Sequence, residues 1–376
     1  MTSTALDILY TDAVQNWCST WYSLFSDQKN GGFHERLSLP DTATLNADKR
    51  LLTQSRQIFT YALALQNGAD KNDFPDLDEK FAFLVKHFHT GVGGWCFSVS
   101  PEGQIKDAHY DLYGHTFVIL AMAHYYKVTQ SDEALKAMNQ TLKFIERHFA
   151  EPQYGGFHEK LNARGDVKNV IRRQNPHMHL LEACLSAYEY TDNEDFILLA
   201  DKLVGLFYSH FCHGEKYTIY EFFNNDLSPH ATEGHQTETG HYFEWVWLLN
   251  KYNQLSDKAD KAKNNKTIKQ LYRFVLKHGF DDTHNGIFNM IDTNGSPVES
   301  NKRIWHVFEG LKAAAIMKDA ETQSKLLDLI KIYIKPGGKL WAETLSEDLQ
   351  TPLLDYMPGT TPYHILYGIV EAKKLS

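Results

Sequence analysis

The chain has 376 residues, 43% of them hydrophobic and 23% charged, enough apolar material to bury a large core and too much for a disordered polypeptide. Its 47 acidic side chains outnumber 38 basic ones, and a formal charge of -9 with no basic patch argues against nucleic acid or an anionic membrane as partner. No run approaches the roughly 18 apolar residues of a membrane span.

The opening segment, MTSTALDILYTDAVQNW, has neither the basic region nor the apolar run of a secretory leader, so a cytoplasmic protein is expected. Cys18, Cys96, Cys184 and Cys212 form no CxxC pair and read as reduced, packed thiols. At Gly31 the segment GGFHERL begins, and it returns as GGFHEKL at Gly155. Weaker relatives start near Gly93, Gly214, Asn285 and Gly337, which divides the chain into six units of about 60 residues. Each unit opens with a glycine turn and a short alternating strand, in places followed by a second turn such as ARGD or TNGS, a hairpin pattern. Two segments of helical period follow in each unit.

The first of these is RLLTQSRQIFTYALAL, where Arg56 lies among apolar neighbours and needs a carboxylate, a carbonyl or a ligand. In DLYGHTFVILAMAHYY, Tyr113 carries a hydroxyl on an otherwise core-like helix. NPHMHLLEACLSAYEY offers Asn175 as N-cap, Pro176 at the first helical position, and His179 three residues before Glu182. His177 and His179 point about 200° apart on a helix, which disfavours one metal ion bound by both. In TETGHYFEWVWLL, His241 and Glu244 share one face, a pair too costly to bury without a hydrogen-bond network or a task. SDKADKAKNNKT, at 256–267, reads as a solvated loop or helix end. RIWHVFEGLKAA places Trp305 and Glu309 four apart with Arg303 and His306 close by, and TPYHILYGIVEAKKL sets His364 just after a Thr361 cap and Pro362.

Several of these segments are apolar nearly all round, which suits an inner ring of helices wrapped by an outer one. The expected architecture is one all-α domain spanning 1–376, a closed α/α toroid of six helix pairs with short β-hairpins at one end. Its polar groups gather at the starts of the apolar helices, where a pocket would open. There is no GxGxxG fingerprint, Walker loop, GxSxG elbow or HExxH helix, so no cofactor and no metal are expected.

At these clusters the chain resembles the N-acylglucosamine 2-epimerase superfamily, which includes cellobiose 2-epimerases, mannose isomerases and the sulfoquinovose isomerase type. The resemblance runs in order through RLLTQSRQIFTYALA, DLYGHTFVILAMA, NPHMHLLEA, TGHYFEWVWLL, RIWHVFEGLKA and TPYHILYGIVEA, nearly the whole sequence. It implies an (α/α)6 barrel acting on a free monosaccharide without a metal. By the same resemblance His241 and His364 are the catalytic imidazoles, and Arg56 polarises the oxygens at the reacting carbonyl. Asn175 and His179 bind hydroxyls, Glu244 orients His241, and Tyr113, Trp305 and Glu309 line the pocket. TGH stands where many members have PGH, a departure that leaves the imidazole in place. DLYGHTF and TPYH look more like the isomerase branch, so interconversion of D-mannose and D-fructose, with D-lyxose and D-xylulose as a further pair, is expected, by a monomer or homodimer. A sugar 2-epimerase is the alternative. A glycoside hydrolase using two of Glu182, Glu244 and Glu309, and a sugar-binding scaffold without catalysis, are also compatible with these residues.

Overall fold

The computed structural model describes residues 2–376, with side chains from Ala5 onward. The helices are α1 (Thr2–Asp12), α2 (Cys18–Phe25), α3 (Leu51–Gln66), α4 (Leu77–Phe88), α5 (Leu112–Thr129), α6 (Asp132–Phe144) and α7 (Gln174–Thr191). They continue as α8 (Glu194–Leu206), α9 (Thr239–Leu255), α10 (Lys261–His278), α11 (Ile304–Met317), α12 (Ala320–Tyr333) and α13 (Thr361–Leu375). A π-helical turn over Ala13–Trp17 joins α1 to α2. The protein is all-α, with only two- and three-residue strands between the helices. No helix among the described residues is long and apolar enough to cross a membrane.

The odd-numbered helices from α3 to α13 are buried over most of their circumference, as their unbroken apolar sequence requires. Their packing runs in a cycle: α3 on α5, α5 on α7, α7 on α9, α9 on α11, α11 on α13, and α13 back on α3. The even-numbered helices from α4 to α12 each cover the inner helix before them, and α1 covers α13. The outer helices α6 and α10 carry one apolar stripe and are polar elsewhere, so they stop at a single layer.

The expected hairpins are present at three places, Ser98–Val99 with Ile105–Asp107, Cys212–His213 with Thr218–Ile219, and Met290–Asp292 with Pro297–Glu299. The remaining strand pairs differ from that expectation because they link one unit to the next. The strand before each inner helix pairs with the glycine-led strand of the following unit: 49–50 with 98–99, 110–111 with 160–161, 172–173 with 222–223, 236–238 with 290–292, and 302–303 with 344–345. Arg36–Ser38 pairs with Tyr356–Pro358 and so joins the first unit to the last.

The ladder also supplies the first backbone acceptor for the inner helices. The N–H groups of Leu51, Leu112, Gln174, Thr239 and Ile304 donate to the carbonyls of Phe97, Glu159, Glu221, Asn289 and Glu343. A side-chain cap is therefore dispensable, and two expected caps are corrected here. α7 begins at Gln174 with no side-chain cap, so Asn175 is its second residue, and α13 begins at Thr361, after an uncapped Thr360. The outer helices have no such ladder, and Ser131, Asn193, Asp260 and Asp319 cap α6, α8, α10 and α12 through their side chains.

Candidate active site

All nine residues singled out in the sequence fall within the first six positions of the six inner helices: Arg56, Tyr113, Asn175, His179, His241, Glu244, Trp305, Glu309 and His364. The strand ladder sets every inner helix start at one end of the ring, so residues far apart in sequence meet there.

Trp305 is the centre of the arrangement. Its ring lies 5.4 Å from the His241 ring and 5.2 Å from the His364 ring, centroid to centroid, so the two imidazoles flank one indole. His306, buried and without a hydrogen-bond partner on either nitrogen, packs edge-on against the same indole at 4.1 Å. This is the role sequence left open for His306: it backs Trp305.

The two flanking imidazoles are held in opposite states. His241 places Nδ1 2.6 Å from Glu221 Oε1, and Glu244 Oε2 lies 3.7 Å from its Nε2. Burial alone would depress its pKa, but the carboxylates of Glu221, Glu238 and Glu244 together raise it to about 10. Gln174 completes the contact. Trp245 donates to its side-chain oxygen at 2.9 Å, which turns the amide nitrogen onto Glu221 Oε2, also at 2.9 Å. The orienting role was expected of Glu244, but of the two carboxylates it is Glu221 that stands at hydrogen-bonding distance of the ring, at 2.6 Å against 3.7 Å, with Gln174 Nε2 3.0 Å from the same Nδ1.

His364 donates Nδ1–H to Glu309 Oε1 at 2.9 Å, and Lys312 Nζ lies 2.5 Å from the other oxygen of that carboxylate. Burial, then the charges of Arg56 and Lys312 and the nearby His179, hold its pKa well below the usual imidazole value. The ring is neutral at pH 7, with Nδ1 on the carboxylate and the Nε2 lone pair available.

The remaining groups close the site. His179 bonds Glu182 Oε2 at 2.8 Å, and the Tyr363 hydroxyl donates to the same oxygen at 2.6 Å. Glu244 stands between His179 and His241 at 3.8 and 3.7 Å, with Oε2 unpartnered, and burial followed by the neighbouring Glu309 pushes its carboxyl well above the ordinary range. Arg56, only 5% exposed, donates to the Tyr113 hydroxyl at 2.8 Å and stacks on Phe117 and Tyr363 at 4.1 and 4.6 Å. It forms no ion pair among the described residues, and its Nε has no acceptor. Asn175 Oδ1 is likewise unpartnered. Unpaired buried polar atoms cost free energy unless a ligand completes them.

Arg56 and Tyr113 also line a cavity of about 700 Å³ at this end of the ring, a volume suited to a small molecule. A second cavity of about 610 Å³ lies at the opposite ends of the same helices, bordered by Gln66, Lys127, Trp247 and Lys374, and none of the nine residues reaches it. Glu244, Glu309 and His364 bring one donor atom each within 4.8 Å of one another, the one trio here that a divalent cation could use. Lys312 already neutralises Glu309, and the His364 Nδ1 is engaged, so the set fits a hydrogen-bond relay better than a cation.

Glu221, Gln174, Lys312 and Tyr363 were missed in the sequence. A signal for Glu221 exists. Its carbonyl accepts from the start of the preceding inner helix in the manner of Glu159, and both Glu159 and Glu35 belong to the GGFHE repeats. In those two units the carboxylate holds Arg173 or Arg50, whereas Glu221 holds His241.

The model of the family described as N-acylglucosamine 2-epimerase (GlcNAc 2-epimerase) matches residues 31–368. The chain is 28% identical to a protein of Rhizobium meliloti (strain 1021) named mannose-6-phosphate isomerase, covering 93% of this chain and 92% of that one. It is 26% identical to a cellobiose 2-epimerase of Dictyoglomus turgidum, covering 92% of each. A crystal structure of a D-mannose isomerase shares the fold with a TM-score of 0.85 at 21% identity, over 99% of this chain and 97% of that one.

Proposed function

The chain belongs to the N-acylglucosamine 2-epimerase family and is an enzyme of its sugar epimerase and isomerase class, and on that premise we propose that it is a metal-independent aldose-ketose isomerase that interconverts D-mannose and D-fructose. In this reading the whole chain is one (α/α)6-barrel catalytic domain, and the cyclic packing of α3 to α13 supports it.

The observation that carries the reaction is the pair of imidazoles on either side of Trp305 with opposite charge bias. His364, neutral, takes the proton from carbon 2 of open-chain mannose onto Nε2 and returns it to carbon 1. His241, protonated and fixed by Glu221, gives its proton to the ring oxygen as the ring opens and takes the proton of the anomeric hydroxyl in exchange. It then gives that proton to the oxygen of carbon 1 as the enediol forms and takes one back from the oxygen of carbon 2 as carbon 1 is protonated. The intermediate is a cis-enediol. A positioned acid-base group contributes on the order of 100 to 10,000-fold. Arg56 supplies a fixed donor to the oxygen that gains negative charge, worth about 3 to 4 kcal/mol in comparable sites. Hydrolysis is disfavoured by the bonding of the three glutamates, since Glu182 and Glu309 are each committed to an imidazole and only Glu244 is free.

The test is incubation of chelator-treated protein with mannose in heavy water, followed by NMR of the sugars. Fructose supports the proposal. Glucose as the first product assigns the 2-epimerase reaction instead, with His241 protonating the opposite face of carbon 2, and unchanged mannose overturns both.

A further inference from the structure

Lys312 follows Glu309 by three residues on α11, and both side chains are buried, at 1% and 0% exposed. The ammonium lies 2.5 Å from Glu309 Oε2, while Glu309 Oε1 is the oxygen on His364 Nδ1. The ring centroids of Trp247 and Tyr367 lie 4.7 and 4.8 Å from the same nitrogen, and Glu371 accepts from the Trp247 indole N–H at 3.1 Å. The charge is thereby fixed between two aromatic rings and one carboxylate. An apolar pair of similar volume is often at least as stable as a buried ion pair, so stability alone does not account for this one.

The ion pair bears on how many protons Glu309 and His364 hold between them. With one proton, the carboxylate accepts Nδ1–H and the Nε2 lone pair is bare. With two, the pair is either an imidazolium on a carboxylate or a carboxylic acid donating to Nδ1 of a ring protonated at Nε2. Both forms close Nε2 to a carbon-bound proton. Burial opposes the second proton at His364, as do Arg56 on α3, His179 on α7 and Lys312, whereas Glu182 on α7 favours it. Of the other groups at this end of the ring, Glu244 on α9 has its carboxyl pushed well up by burial and by Glu309, and burial keeps His306 on α11 neutral. Lys312 is the lysine or arginine paired with Glu309 among the described residues.

We infer that Lys312 is a positioning residue for the base, whose charge on Glu309 restricts the Glu309–His364 pair to one proton and so keeps Nε2 open toward carbon 2 of the sugar. The link to carbon 2 rests on the isomerase reading, whereas the proton count is a property of the pair itself.

The test combines pH profiles of kcat on mannose with long-range 1H–15N spectra of histidine-labelled protein, in the parent, Lys312→Met and Lys312→Arg. In Lys312→Met the pair holds its second proton more tightly and releases it only at higher pH. The acid limb is therefore expected to move up by about one pH unit or more, with the rate below it down by about tenfold or more and the rate above it approaching the parent's. Lys312→Arg, which keeps the charge, returns the limb toward its parent position. A fall of equal size at every pH, with the limb unmoved, is what a packing role gives and overturns the inference. The His364 ring is identified in the spectra by its loss in His364→Ala. At pH 7 the parent ring is expected to carry hydrogen on Nδ1 alone, and the Lys312→Met ring to titrate at Nε2 at higher pH than the parent. Hydrogen on Nε2 in the parent, or an unchanged titration in the variant, also overturns the inference. If Lys312→Met does not fold, Lys312→Gln, which is polar but uncharged, supplies the same comparison. A shifted ring titration in a protein that turns over no sugar leaves the proton count standing and overturns the isomerase, whereas isomerisation of mannose with limb and ring unmoved does the reverse.

Discussion

At the scale of single residues the proposed chemistry rests on how two similar side chains are made different. His241 and His364 are both buried, and burial alone favours the neutral ring in each. Glu221, with Glu238 and Glu244 behind it, reverses that preference for His241, while Arg56 and Lys312 reinforce it for His364. His241→Ala and His364→Ala are each expected to lower turnover by at least about 100-fold with the fold intact by circular dichroism. Near-normal rates in either variant remove that residue from the mechanism. Glu221→Gln provides a sharper test because it leaves every reacting group in place. In the proposed reaction His241 is the acid, so activity is expected to fall as pH rises through its pKa, which Glu221 together with Glu238 and Glu244 raises to about 10 against the effect of burial. Without that charge the alkaline limb of the rate profile moves toward neutral pH, and an unshifted limb shows that Glu221 has only a packing role. The base His364 has a depressed pKa, so the acid limb of the same profile is expected below pH 6.5.

Between elements, the decisive contact is the approach of α9 to α11 at their N-terminal ends. A β-carbon on Gly240 would come within 2.2 to 2.4 Å of the Trp305 ring and 2.8 Å of His306. Gly240→Ala therefore displaces the indole that both imidazoles flank. Its expected effect is a fall in kcat/KM of about tenfold or more with little change in secondary structure, and unchanged kinetics would mean that the indole does not position the imidazoles. The repeats also carry paired charges at matching places. Lys49 bonds Asp27 at 2.8 Å in the first unit, and Lys302 bonds Asp281 at 2.7 Å in the fifth, each ahead of an inner helix. Breaking a buried pair from one side costs about 3 to 5 kcal/mol, so Lys302→Met is expected to destabilise the protein by that order in urea denaturation. A change under about 1 kcal/mol would show the pair to be replaceable.

Across the whole molecule, closure links the two ends of the chain. Arg36–Ser38 pairs with Tyr356–Pro358, α3 packs on α13, and α1 covers α13, so the last helix both completes the ring and delivers His364. Stability and site are thus properties of one closed structure, and acid is expected to act on both through the same carboxylates. Burial would raise the pKa of Asp27 and Asp281, but their lysines and the backbone N–H groups of the glycine turns bring both down from 3.8 to about 2. A carboxylate with a depressed folded pKa contributes stability that is full above its unfolded value and lost as pH falls through the folded one. Stability is therefore expected to drop between about pH 4 and pH 2, and Lys302→Met to flatten part of that drop in denaturant midpoints measured across the range. Parallel pH profiles for the parent and the variant would overturn this account.

Much of this was legible in the sequence for a physical reason: periodicity and glycine spacing are local. The two GGFHE segments, the apolar helices and the polar residues at their starts identified six repeats, an all-α chain and all nine residues that now stand at one end of the ring. Other features depend on neighbours supplied from elsewhere in the chain. The strand ladder replaced the expected cap at Asn175, because the Glu221 carbonyl of the next unit reaches the start of α7 first, and the Thr361 hydroxyl turns to the Glu343 carboxylate instead of its own helix. Glu221 reaches His241 from a loop 20 residues away, and Lys312 neutralises Glu309 one turn beneath His364. The charge of an imidazole depends on what surrounds it in space, so the sequence named the two histidines and only the tertiary structure decided which of them holds a proton.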